Sequence, residues 1–214
     1  MSIDAKTSSR IIKKLRACHG KVDPALSYTN LYEITIAVVL SAQTTDRQVN
    51  EVTPALFKKY PGFGFLAKAR LSDVEKIVHS TGFYHAKARN IISLARKVMD
   101  DYSGILPRTR EELVTLPGVG RKSANVILSQ GYGIPAFAVD THVGRVARRI
   151  GYTTEKDPDM VEKSLTSLIP RKDWTEAHLL FITHGRTICD ARNPRCGDCP
   201  VVEDCEYGTG SVSS

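Results

Sequence analysis

Residues Leu116–Asn125 read LPGVGRKSAN, a Pro-Gly turn and a second glycine set directly before Arg121 and Lys122. Such a loop can hold a nucleotide, grip a phosphate backbone or turn a corner. A Walker A loop needs Gly-x-x-x-x-Gly-Lys-Ser/Thr after a strand, so that backbone amides wrap a triphosphate. Here Arg121 precedes Lys122 where that pattern has glycine, and no strand pattern comes before it. A dinucleotide loop, Gly-x-Gly-x-x-Gly, needs glycine where Ser123 stands. What remains is a tight turn between two helices, Thr109 to Leu116 and Arg121 to Gln130. Its glycines lack Cβ atoms and let amides approach an anion, and the second helix adds its positive end. On spacing alone two readings stand: an ordinary helix-helix corner, or a clamp on a DNA backbone phosphate, which positions a protein without reading sequence.

Lys122 raises a separate question. An ordinary lysine, with a pKa of about 10.4, is protonated at neutral pH and cannot attack carbon. A neighbouring cation such as Arg121, the positive end of a helix and partial burial all disfavour the ammonium, which is how a lysine becomes a nucleophile. Simple pairing of Lys122 with phosphate is the other use. Farther on, AFAVDTHVGRVARR places Asp140 just before another helix pattern, where Asp140 or Thr141 fits as N-cap. A carboxylate there also suits stabilising an oxocarbenium-like transition state and moving protons for an attacking lysine.

Around these motifs the chain reads as all-α. Asn30 with Glu33, Ser72 with Glu75, and Thr109 with Glu112 carry capping-box spacing. Apolar residues then recur every three to four positions, as in Ile91, Leu94, Ala95 and Val98, while strand alternation is poor. The pattern predicts helices over 7–18, 30–42, 46–60, 72–80, 85–102, 109–115, 121–132, 142–151, 158–168 and 174–184. The closing Gly-Thr-Gly-Ser-Val-Ser-Ser reads as a frayed tail.

Composition is that of an ordinary globular chain, with 42% hydrophobic and 25% charged residues, so disorder and fibre are excluded. Thirty Lys and Arg against 23 Asp and Glu leave a net charge of +7, which favours a polyanionic partner. Basic residues gather in the first 22 positions and at Lys87, Arg89, Arg96 and Lys97. With Arg121, Lys122, Arg145, Arg148 and Arg149 these runs form either one positive surface or separate solvated helix faces. The longest apolar stretch, ITIAVVLSA, is interrupted by Thr35 and Ser41 and is too short to span a bilayer. A soluble intracellular protein is expected, with Asp4 and the Ile11, Ile12, Leu15 spacing reading as a retained amphipathic helix rather than a transit peptide.

Of five cysteines, Cys18 stands apart as a packed or idle thiol. Cys189, Cys196, Cys199 and Cys205 follow Cys-x6-Cys-x2-Cys-x5-Cys, a density that in an intracellular chain points to metal rather than disulfides. Four thiolates suit zinc or an iron-sulfur cluster; only one Cys-x2-Cys gap departs from the usual paired zinc ribbon. No chemistry is assigned to His178 or His184.

LPGVGRKSAN, AVDTHVGRV, the cysteine tail and LSAQTTD upstream, in this order, resemble endonuclease III of the helix-hairpin-helix DNA glycosylase superfamily, over about residues 7 to 207. The resemblance implies a bifunctional enzyme that removes oxidised pyrimidines from duplex DNA through a lysine Schiff base, then cuts the strand 3′ to the abasic site by β-elimination. It implies a six-helix domain over 23–134 carrying the helix-hairpin-helix at about 109–130. Residues 1–22 with 135–214 would form a discontinuous domain holding a [4Fe-4S] cluster on loop 189–205, with DNA in the cleft. Lys122 matches the nucleophile, Asp140 the carboxylate, and Cys189, Cys196, Cys199 and Cys205 the cluster ligands. The DNA-binding set would be Gln43, Phe83, Gly118, Val119, Gly120, Arg121, Arg186, Arg192 and Arg195. Gln43 matches a residue that fills the space of the flipped base; a buried amide between helices is its structural alternative. Phe83 falls where the family often has a leucine wedge. Adenine glycosylases of the superfamily lack a lysine at the position of Lys122, and a thymine-mismatch branch commonly has tyrosine there, so Lys122 favours the lyase. The alternatives are a monofunctional glycosylase of those kinds, a non-catalytic DNA-binding relative, or a zinc protein with a basic surface. A cytoplasmic, nucleoid-associated monomer acting on damaged pyrimidines or abasic sites is expected.

Overall fold

A computed structural model describes residues 3–212, and among them the secondary structure is helices, helical turns and loops without strands. The chain divides into two compact units: Pro24–Ile134, and the residues up to Asp23 together with those from Pro135 on. Helix α1 (Ala5–His19) comes first. Within Pro24–Ile134 follow α2 (Leu31–Leu40), α3 (Asp46–Lys59), α4 (Phe63–Ala67), α5 (Leu71–Val78), α6 (Tyr84–Tyr102), α7 (Arg110–Leu113) and α8 (Arg121–Val126), which runs into a π-helical turn at Ile127–Gly131. After Pro135 come α9 (Thr141–Ile150), α10 (Pro158–Leu168), α11 (Trp174–Thr187) and α12 (Glu206–Val212).

Two of the three predicted N-caps form, each with its Glu reaching back, to the Thr29 amide in one case and to the Thr109 hydroxyl in the other. The Asn30 side chain accepts from Glu33 N at 3.0 Å, and the Glu33 carboxylate accepts from Thr29 N at 2.6 Å. Thr109 accepts from Glu112 N at 3.3 Å while its hydroxyl donates to the Glu112 carboxylate at 2.6 Å. Ser72 does not cap: α5 starts one residue earlier, behind Arg70, and Glu75 is drawn instead to His85 Nδ1 at 2.7 Å.

The apolar run predicted not to cross a membrane is α2, buried almost all round from Tyr32 to Leu40 in the core of its unit. Among the described residues no helix is long and apolar enough to span a bilayer. In the other unit, Ile11, Ile12 and Leu15 of α1 pack with Val143, Val146 and Ile150 of α9 and with Leu180 and Phe181 of α11. The N-terminal amphipathic stripe is therefore core, and it is what draws the two ends of the chain into one unit. The predicted frayed tail is corrected: α12 reaches Val212, with Cys205 behind it buried and the Tyr207 ring stacked under the Arg149 guanidinium at 4.7 Å. Residues 213 and 214 of that tail lie outside the described residues.

Candidate active site

The hairpin between α7 and α8 is built from two glycines in opposite settings. Gly118 has a left-handed φ of +81°, and a Cβ there would lie 2.9 Å from Val39 Cγ1 and 3.1 Å from Asn90 Cβ. Its missing side chain is what seats the turn against α2 and α6. Gly120 is exposed, has an ordinary φ of −92°, and a Cβ there would meet nothing within 4 Å. It leaves the N-terminal end of α8 bare. Val119 between them is buried, only 5% exposed. Arg121 is half-buried, and Lys122 follows, exposed in the first turn of α8. Among the described residues none forms a hydrogen bond or ion pair with Lys122. The partial burial considered for this lysine is absent.

Gln43 and Phe83 share an unusual backbone. Both are non-glycine residues with left-handed φ, 52° and 47°, and both side chains are exposed, Phe83 at 69%. Gln43 is thus not the buried amide of the structural alternative. A left-handed conformation costs an L-residue about 1–2 kcal/mol.

In the other unit, Asp140 is the N-cap of α9: its Oδ1 accepts from Val143 N at 2.8 Å. The capping role expected from its position is real, and it occupies only one carboxylate oxygen. Next along, several residues of the basic runs are engaged by the protein itself. Arg145 donates to the carbonyls of Gly185 at 2.8 Å and Cys189 at 3.2 Å, and Arg149 to those of Asp190 and Ala191 at 2.5 and 2.8 Å. These guanidiniums are pegs inside the cysteine loop. Likewise Lys87 is buried, Arg96 donates to the Ala67 carbonyl and Lys97 pairs with Asp101. Arg186, Arg192 and Arg195 are exposed, although Arg195 also donates to the Thr187 carbonyl and lies 3.8 Å from Asp198.

The four cysteines line one pocket, with Arg149, Ile150, His184 and Val201 in its wall. None forms a disulfide. Burial, reinforced by the neighbouring sulfurs, pushes the Cys199 thiol up to about 11, so a bound metal would be what holds this sulfur as thiolate. Donors already face the sulfurs: Arg149 to Cys189 at 3.4 Å, Gly208 N to Cys205 at 3.3 Å, and His184 Nε2 lies 3.6 Å from Cys199. Hydrogen bonds to thiolate sulfur are what a cluster's ligands require. Yet among the described residues no three metal-ligating side chains close around a single ion. Sequence reasoning passed over His184. Burial, and secondarily the adjacent His19, lower its pKa to about 4, keeping it a neutral hydrogen-bonding group at the pocket wall.

Comparison with known proteins agrees with this arrangement. Residues 36–171 match the family model of the HhH-GPD superfamily of base excision DNA repair proteins, and residues 189–205 match the iron-sulfur binding domain of endonuclease III. The chain is 41% identical to endonuclease III of Synechocystis, covering 99% of this chain and 97% of that protein. It is 37% identical to that of Escherichia coli K12, covering 92% and 93%. Among solved structures, a trapped endonuclease III–DNA covalent intermediate superposes with a TM-score of 0.91 at 40% identity, covering 98% of this chain and 99% of that one. A thermostable thymine-DNA glycosylase superposes at 0.87 with 25% identity, covering 96% and 98%. The chain belongs to the endonuclease III family of helix-hairpin-helix base excision repair enzymes, and its Cys189–Cys205 loop is the family's [4Fe-4S] site.

Proposed function

We propose that this bifunctional DNA glycosylase and abasic-site lyase removes oxidised pyrimidines from duplex DNA, with Lys122 as nucleophile and Asp140 as its carboxylate. The observation that carries the assignment is Lys122 itself: an exposed amine, without a partner among the described residues, two positions after the bare Gly120. The similarity to a trapped endonuclease III–DNA covalent intermediate supports it, since a covalent adduct requires a protein nucleophile.

In the proposed reaction the damaged nucleotide leaves the stack, at least cost where pairing is already weak. The Lys122 amine attacks C1′, its proton passing to Asp140, and the bond to the base breaks with the electron pair leaving on the base. Asp140 returns that proton to the ring oxygen as the C1′–O4′ bond breaks, and the resulting iminium acidifies the C2′ proton. Loss of that proton expels the 3′ oxygen with its phosphate, and water then hydrolyses the imine and frees the lysine. Asp140 Oδ1 stays on the Val143 amide, which leaves Oδ2 for the sugar. The backbone at Gly118, Val119 and Gly120, with Arg121, grips a phosphate; Gln43 and Phe83 occupy the space vacated by the base; Arg186, Arg192 and Arg195 meet the DNA backbone. The [4Fe-4S] cluster, when bound, braces loop 189–205. The enzyme acts as a monomer on chromosomal DNA in the cytoplasm.

Borohydride trapping on duplex DNA containing thymine glycol tests the assignment. A covalent adduct is expected that disappears in Lys122→Ala; no adduct with the intact enzyme, or an undiminished one in Lys122→Ala, overturns it. An adenine or mismatch glycosylase would release its base without any adduct.

A further inference from the structure

Lys87 is 4% exposed and lies in the first turn of α6. Its Nζ donates to the Thr81 carbonyl at 2.7 Å and to the Thr44 hydroxyl, which itself donates to the same Thr81 carbonyl at 2.5 Å. Thr81 is buried too, its hydroxyl turned to the Val78 carbonyl at 2.7 Å. Among the described residues no carboxylate answers this ammonium. A buried cation at the positive end of a helix is unfavourable twice over, by desolvation and by the helix dipole. Desolvation accordingly lowers its pKa. A methionine would fill the same channel without that cost, and would orphan no acceptor, because the Thr44 hydroxyl still serves the Thr81 carbonyl.

The two oxygens that Lys87 holds explain where the stability is spent. Thr44 is the residue after Gln43, and Thr81 stands two before Phe83 with only Gly82 between. Both Gln43 and Phe83 have left-handed φ and exposed side chains, and they come from separate loops, one between α2 and α3 and one ahead of α6. The triangle of Lys87 Nζ, Thr44 Oγ1 and Thr81 O joins these loops to each other and to α6.

We propose that Lys87 is a positioning residue that locks the Gln43 and Phe83 loops into one rigid two-pronged wedge for opening the duplex. The proposal rests on the reading above that both side chains enter the DNA. Without the ammonium the prongs keep their chemistry but lose their fixed spacing, and small misplacements of such groups cost large factors in rate. No step of bond cleavage involves Lys87.

The test follows a duplex carrying 2-aminopurine beside a thymine glycol, whose fluorescence rise reports unstacking, and compares turnover on that duplex with turnover on an abasic site in a single strand. Gln43→Ala and Phe83→Ala first establish the wedge. Lys87→Met and the less invasive Thr44→Val are each expected to slow the rise and lower the duplex to single-strand ratio about tenfold. Added to the Gln43→Ala/Phe83→Ala pair, Lys87→Met is expected to change the ratio by less than about twofold, since no prongs remain to be held. If neither prong variant moves the ratio, the wedge reading fails and the proposal falls with it. If the prong variants lower it while Lys87→Met and Thr44→Val match wild type, or if Lys87→Met costs its full factor in the prongless background, the wedge stands and the locking role is overturned. Should Lys87→Met fail to fold, Thr44→Val decides alone.

Discussion

Alanine at Gly118 and alanine at Gly120, two residues apart in one hairpin, are expected to fail in different ways. At Gly118 the new Cβ meets Val39 Cγ1 at 2.9 Å and Asn90 Cβ at 3.1 Å, on a backbone with φ of +81°. Overpacking of this kind costs about 1–3 kcal/mol and the left-handed conformation about 1–2 kcal/mol, so Gly118→Ala is expected to lose about 2–5 kcal/mol. At Gly120 the Cβ meets nothing and φ is −92°. Only the weaker capping of α8 by alanine counts, about 0.5–1 kcal/mol. Its effect falls instead on DNA, because the methyl group stands over amides that the proposed clamp turns to a phosphate. A hydrogen bond to a charged group contributes about 1.5–3 kcal/mol, so losing one weakens binding by about 10- to 100-fold. Urea unfolding followed by circular dichroism reads the first quantity; fluorescence anisotropy with a labelled duplex at fixed salt reads the second. Wild-type affinity in a folded Gly120→Ala would make the hairpin a corner and not a clamp. A loss below about 1 kcal/mol in Gly118→Ala would refute the packing argument.

Three further outcomes follow from the geometry. Asp140→Asn keeps an oxygen for the Val143 amide, so its melting temperature should stay near wild type while turnover on thymine glycol falls about 100-fold or more; Asp140→Ala should lose about 1 kcal/mol of cap as well, and unchanged turnover in either removes Asp140 from the reaction. Gln43→Gly relieves a left-handed φ and should gain about 1 kcal/mol in urea unfolding while duplex turnover drops, and a loss of stability would contradict the strain assigned there. Asp204 is held below its ordinary value of 3.8 chiefly by the hydrogen bond from Arg10, then by Lys14. A lowered carboxyl stabilises the fold in full above its ordinary value and loses that contribution as pH falls through the lowered one, so Asp204→Asn should lower stability at pH 7 and flatten its fall on the acid side; parallel acid-unfolding curves for the two proteins would reject this.

What the sequence made legible, and what it hid, divides along the range of the interactions. Capping at Asn30 and Thr109, the hairpin turn and the cysteine spacing are written in neighbouring residues, and local chemistry suffices to find them. Ser72 misled because the box rule weighs Glu75 against its own helix, whereas His85, ten residues on, competes for the same carboxylate. Helix α12 was hidden by its glycines; it is held by Cys205 beneath it and by the Arg149 stack on Tyr207, partners far along the chain. The basic residues are the most instructive failure. A lysine or arginine in a helix pattern carries no local mark of whether it faces water, a carbonyl or a ligand, so Lys87, Arg145 and Arg149 read as surface charge until burial and partners are known. Net charge therefore pointed correctly to a polyanion while assigning several of the charges to the wrong task. Some of the cations that made the chain look basic stabilise loops inside each unit, while Lys122, Arg186 and Arg192 are among those that stay exposed. Mutating the buried set should change the shape of the protein's surface more than its electrostatic attraction to DNA, so the salt dependence of binding belongs to the exposed set.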